Sequence, residues 1–154
     1  VWQGNSRAVE RGPLVYALKV ESEQKLVKNE GPVEQGEYYY EITPKSPWNY
    51  ALIQTPKAKF PEHYKVDASK VAEDIVYPWN EENAPITITT KALRVENWYE
   101  YNKMAGPIPY SLMYGMPVSK TPEQIQLIPY GCTTLRITQF PLNGQHTAEE
   151  SITD

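Results

Sequence analysis

Leu14, Tyr16, Leu18 and Val20 alternate with Val15, Ala17, Lys19 and Glu21. A period of two sends successive side chains to opposite faces of a strand, so the pattern predicts a half-buried strand over 14–21, opened by Gly12-Pro13. The polar stretch 22–36, which contains Gly31-Pro32, reads as a loop. A second strand is predicted over 37–43, broken by Pro44 and Pro47, and a third, short one over 48–54. The signal weakens across 55–83, where a strand fits 60–67 and a single helical turn capped by Asp67 fits 67–74. The clearest strand is 86–95, with β-branched Ile86, Thr87, Ile88, Thr89, Thr90 and Val95, and 96–101 continues it after a bend. A proline-rich loop follows over 106–122. Two closing strands, 123–130 and 133–140, are joined by a turn at Gly131-Cys132. In the second of these, Leu135 and Ile137 face a core while Arg136 and Thr138 face away. From 143 onward there is no aromatic residue, and 143–154 reads as a flexible tail.

Short strands separated by turn signals predict an all-β fold, an antiparallel β-sandwich of jelly-roll-like or Ig-like form with few or no helices. Composition agrees: 14 prolines and 8 glycines interrupt nearly every window in which a long helix could form. Twelve Tyr and four Trp stand against two Phe, and amphipathic rings of this kind suit half-exposed strand positions. A length of 154 residues allows one domain, over 1–142, with a real core. The net charge of −4, with no basic stripe, argues against nucleic acid as a partner. No apolar run approaches the about 18 residues that span a bilayer, so no membrane partner is expected, and residues 1–20 lack the layout of a signal peptide.

Candidate chemistry is sparse. Cys132 is the single cysteine, and nothing local supplies the base or positive charge that would activate it, so it reads as a small buried hydrophobe. His63 and His146 have no ligand spacing to each other or to Cys132, and no metal site is expected. Among the acids Glu34, Glu37, Glu41, Asp67, Asp74, Glu81 and Glu82, no motif selects the pair about 5–10 Å apart that a glycosidase needs. A cation site from Asp74, Glu81 and Glu82 lacks the regular spacing of a calcium loop. No catalytic residue is therefore assigned. Trp48, Tyr50, Trp79 and Trp98, with Tyr38 and Tyr39, are the candidates for carbohydrate binding, because a sugar's C–H face packs on a flat ring; the alternative is that they fill the core or an interface. Glu10-Arg11 reads as an ion pair or interdomain contact.

The segment Ala8-Val-Glu-Arg-Gly-Pro-Leu-Val-Tyr16 resembles a motif of the β-L-arabinofuranosidase-like proteins, glycoside hydrolase family 127 and its relatives. Tyr40-Glu-Ile-Thr-Pro, Ser46-Pro-Trp-Asn-Tyr50, Asn83-Ala-Pro-Ile86, Ala105-Gly-Pro-Ile-Pro109 and Leu127-Ile-Pro-Tyr-Gly-Cys-Thr133 are similar, in order, to the variant common in gut-type Bacteroidetes. The resemblance covers most of 7–141. It implies a place in the β region that follows an (α/α)₆ catalytic barrel. It also implies that the catalytic acid and a zinc-held cysteine cluster belong to that barrel, and that the parent protein is periplasmic or extracellular.

Together these readings predict a non-catalytic accessory domain of carbohydrate metabolism, without a cofactor of its own, that packs on and supports the catalytic barrel of a parent glycoside hydrolase. A carbohydrate-binding module using exposed Trp and Tyr is the alternative. A third reading is an enzyme fragment whose loop over 106–121 touches substrate. If upstream strands normally belong to the region, an open edge at 14–21 predicts an edge-paired homodimer.

Overall fold

The computed structural model describes residues 3–32, 36–69, 79–111 and 116–144. Among them the strands, in chain order, are β1 (Val9–Arg11), β2 (Leu14–Leu18), β3 (Ser22–Lys28), β4 (Tyr38–Pro44) and β5 (Tyr50–Ile53). After one helical turn, α1 (Phe60–His63), come β6 (Lys65–Asp67), β7 (Thr87–Arg94), β8 (Glu100–Tyr101), β9 (Met104–Ala105), β10 (Glu123–Pro129) and β11 (Leu142–Asn143). The chain is all-β.

Seven strands form one sheet in the order β1-β2-β10-β7-β5-β11, with β6 added on β7. One edge of β7 serves two partners, β5 beside Ala92–Arg94 and β6 beside Thr87–Thr89. Register decides the core. Leu127 lies opposite Leu18 on one side and Ile88 on the other, so one row of the sheet is apolar throughout. Tyr16, Leu18, Val20, Leu52, Ala92 and Phe140 complete the buried cluster on the same concave side.

The segment 137–143 closes the curl. The Ile137 carbonyl accepts the Leu18 N–H at 2.8 Å, and Phe140 exchanges both backbone hydrogen bonds with Arg7. Then the Pro141 and Asn143 carbonyls accept from Leu52 and Gln54. A single strap thus ties the β1–β2 side of the sheet to β5, and the fully buried Phe140 ring is its anchor. The β3–β4 ribbon and the β8–β9 hairpin stand as separate two-stranded units.

Several sequence expectations change here. The sheet is mixed, because β11 runs parallel to β5, and it curls around its own core. The polar stretch read as a loop is strand β3, since each residue from Ser22 to Lys28 finds a register partner on Tyr-rich β4. Residues 133–140 are no strand. Thr133 Oγ1 donates to the Leu135 carbonyl and Arg136 Nε to the Thr133 carbonyl, local bonds that hold a bend in place of a ladder. Leu135 and Ile137 are accordingly half-buried partners of the core. Of the strand expected over 60–67 only Lys65–Asp67 forms, as β6, because Pro61 in the first turn favours α1 before it. Residues 96–101 turn into the β8–β9 hairpin and do not extend β7. The edge expected at 14–21 is not open, because β2 has β1 on one side and β10 on the other. The helical turn expected over 67–74 falls largely outside the described residues, although the Asp67 carboxylate does accept the Ser69 N–H. At the end of the chain, Asn143 is buried in β11, and most of the expected tail lies outside the described residues.

Candidate functional site

Charged residues in phase with the core mark one end of the sheet. Arg94 follows Ile88, Thr90 and Ala92 along one face of β7, and Glu123 precedes Ile125 and Leu127 on β10. The registers set Tyr50 opposite Arg94 and Glu123 opposite Ala92. Tyr50 Oη donates to Glu123 Oε2 at 2.7 Å, and Arg94 Nη2 donates to the same oxygen at 2.9 Å. The Tyr50 hydrogen bond, followed by Arg94, holds the Glu123 carboxyl below its ordinary pKa against the opposing effect of burial. Burial first, then the Glu123 bond, raises Tyr50, and Arg94 is raised by Glu123. A carboxylate held ionised beside a phenol held protonated has no proton to exchange near neutrality. The cluster ties three strands together.

The four carbohydrate candidates go to different places. Trp98 is buried, donates its indole N–H to the Gly106 carbonyl at 2.9 Å, and meets half-buried Trp48 edge-on with ring centroids 5.2 Å apart. Tyr50 is buried in the charged cluster. None of these three offers a sugar an open ring face. Trp79 does, at 40 % exposure. It lies beside Gly131 in a shallow groove of about 430 Å³ lined also by Pro13, Val15, Pro129 and Tyr130. The Arg136 guanidinium stacks 4.5 Å from the Tyr130 ring centroid, at the same end of β10. Tyr38 and Tyr39, outside this group, are exposed on β4.

The remaining candidates keep structural surroundings. Burial raises the Cys132 thiol, and the side chain packs with Ala84 and Ile128. Glu81 accepts from Thr133 Oγ1 at 3.3 Å, and Glu41 pairs with Lys103 at 2.7 Å. Among the described residues, no three His, Cys, Asp or Glu side chains group as a metal site. Glu34, Asp74 and His146 lie outside the described residues, as do 112–115 of the loop expected to touch substrate. Glu10 and Arg11 are consecutive on β1, so alternation sends them to opposite faces, and no ion pair joins them.

Sequence reasoning passed over Arg94, Glu123, Tyr130 and Arg136. For the first two a signal existed: each is a charge in phase with an apolar row. For the second pair none did, because the bend that brings Arg136 over Tyr130 is held by side-chain bonds from Thr133 and Arg136 that an alternating pattern does not reveal. A cleft between β1 and α1–β6 was also invisible, since 40 residues of chain separate its walls at their nearest lining positions, Arg11 and Leu52. No family model, curated protein or solved structure matches the chain. These comparisons do not link the chain to the β-L-arabinofuranosidase-like proteins that its sequence resembles.

Proposed function

We propose that this chain is a non-catalytic β domain that docks on and supports the (α/α)₆ catalytic barrel of a parent β-L-arabinofuranosidase-like glycoside hydrolase. The observation that carries the reading is the β3–β4 ribbon. Its register pairs Leu26 with Tyr40 and Lys28 with Tyr38, so Leu26, Tyr38 and Tyr40 share one face, exposed at 55 %, 52 % and 64 %. Ile42, in phase with Tyr40, lines a hollow against Val20 and Trp48 of the body. The apolar stripe thus starts inside the domain and runs out along the ribbon. A two-stranded ribbon is marginal in water by itself, and a contiguous apolar surface rimmed by charge is the usual mark of an interaction face. The antiparallel sandwich expected from the sequence belongs to this proposal too: strands of the parent protein added to the ribbon's edge would build its second sheet. The direct test is a photo-cross-linking residue at position 40 of the full-length gene product. Links into an upstream barrel support the reading. Links only to a second copy, or none, overturn it.

A second reading is favoured by one observation, the exposed Trp79 beside Tyr130. Ring faces bordering a groove suit sugar stacking. Titration with arabino-oligosaccharides would support it if binding is saturable and lost in Trp79→Ala, and would dismiss it if no heat is released.

A further inference from the structure

The strap 137–143 closes only part of the wall between the two ends of the curled sheet. Where it crosses, Arg7 meets Phe140, and Leu142 meets Leu52. Beyond the crossing, β1 and the α1–β6 unit face one another with no strand between them among the described residues, and the gap is an open cleft of about 840 Å³. That volume is in the range of small-molecule sites, which recur at the mouths of curled β-structures.

The cleft has an apolar floor and a cationic rim. Leu52, Ile88 and Leu142 form its floor, Phe60 and Tyr64 stand on one wall edge-to-face at 5.5 Å, and Val66, paired with Ile88, lies on the same concave face. Phe60 and Val66 are 43 % and 45 % exposed, apolar surface left open to water. On the opposite wall, β1 sets Val9 against Tyr16 and Arg11 against Leu14, both core-facing residues. Arg11 therefore points to the concave side, and Glu10, which also borders the cleft, alternates to the outer face. Arg7 and Lys57 add positive charge to the lining, and Lys65 and Asp67, which flank Val66, alternate to the outer face. Arg11 has no carboxylate partner among the described residues. Beneath it lies the buried Tyr16 hydroxyl, without a partner at full hydrogen-bond geometry; burial raises its pKa, and the neighbouring Arg11 guanidinium opposes that rise by its charge and by hydrogen bonding.

We propose that the cleft between β1 and α1–β6 binds a small amphiphile with an unbranched or aromatic apolar body and a single carboxylate, the body on Leu52, Ile88 and Leu142 and the carboxylate on Arg11. Burial of the body supplies affinity, because the exposed faces of Phe60 and Val66 above that floor trade water for apolar contact. The guanidinium supplies selectivity, because a charge-assisted bond to a carboxylate is about twice as strong as a neutral one. A sugar fits this cleft poorly, for its floor carries few polar groups to take hydroxyls.

The probes are decanoate, below its micelle concentration, and the neutral decanamide, titrated calorimetrically into the purified chain. Decanoate should bind saturably at one site, with decanamide about tenfold weaker, the ratio expected for losing one charge-assisted bond. Arg11→Gln should bring decanoate down to the decanamide level and leave decanamide unchanged. Val66→Trp, at an exposed edge position where the larger ring fills the cleft, should abolish both. Melting curves and amide spectra of each variant establish that it is folded, and Lys57→Gln, further along the rim, should weaken decanoate by a smaller factor than Arg11→Gln. Equal affinity for the two probes overturns the proposal, as does binding that survives Val66→Trp, or no saturable binding at all.

Discussion

The curled sheet and the β3–β4 ribbon are built from the same kinds of residue and end in opposite environments. In β2, β7 and β10 the apolar phase is Tyr16, Leu18, Ile88, Ala92, Ile125 and Leu127, all buried. In β4 the rings of Tyr38, Tyr39 and Tyr40 are all exposed, on both faces of a two-stranded ribbon. Strand formation in the ribbon is satisfied locally by backbone pairing and by the surface ion pair Lys45–Glu23. Burial in the sheet depends on distant segments, with the strap around Phe140 covering strands more than a hundred residues earlier. Pairing and burial are separate achievements, and only the second produces a core.

Truncation should separate the two regions most clearly. Phe140→Ala removes the strap's anchor and should cost about 3–5 kcal/mol, the range for a fully buried aromatic. Tyr40→Ala in the isolated chain should stay within about 0.5 kcal/mol, as surface substitutions do. Chemical denaturation of both variants checks the contrast, and similar losses would break it.

Gly106→Ala should cost about 1–3 kcal/mol, the range for overpacking. A Cβ there would sit 2.5 Å from the Tyr99 carbonyl oxygen, whose backbone bond from Gly106 cannot lengthen without disturbing the Trp98 indole contact. Tryptophan fluorescence should shift along with the melting temperature; an unshifted spectrum and melt would show that the loop gives way freely.

Glu123→Gln should cost about 0.5–1 kcal/mol, because the Arg94 and Glu123 side chains are 40 % and 38 % exposed and solvent screens the pair. The pH dependence follows from the lowered carboxyl. Its stabilisation is fully present above the unfolded-state carboxylate pKa and is lost as pH falls through the lower folded value. The variant's stability curve should therefore be flatter on its acid side. An identical acid limb in variant and parent would mean that the cluster contributes nothing.

The smallest effect is expected at Tyr16→Phe. The buried hydroxyl has no partner at full hydrogen-bond geometry, so its removal should be neutral or stabilise the chain by up to about 1 kcal/mol. A clear loss of stability would show that the Arg11 interaction outweighs the cost of burying the oxygen.

Much of the sheet was legible in the chain. The alternation at Leu14–Leu18, the β-branched run of Thr87–Arg94 and the apolar phase of Glu123–Pro129 became β2, β7 and β10. The ribbon's first strand was illegible because its polar residues carry no burial signal, and partner pairing alone made it a strand. The closing segment failed for the opposite reason. Leu135 and Ile137 alternate like a strand, but local side-chain bonds from Thr133 and Arg136 bend the backbone.

What the sequence by itself determined was the class of structure and the phase of its core, because alternation and the density of prolines are local properties. The tertiary structure alone decided which rings are buried, which charges meet and where the wall of the sheet stays open. Trp48 meets Trp98 and Tyr50 meets Glu123 across separations of tens of residues, and among the described residues the strap crosses at Arg7 and Leu52 and leaves the cleft beyond open. Such contacts depend on register and chain crossing, and a local pattern of apolar and polar residues does not encode either.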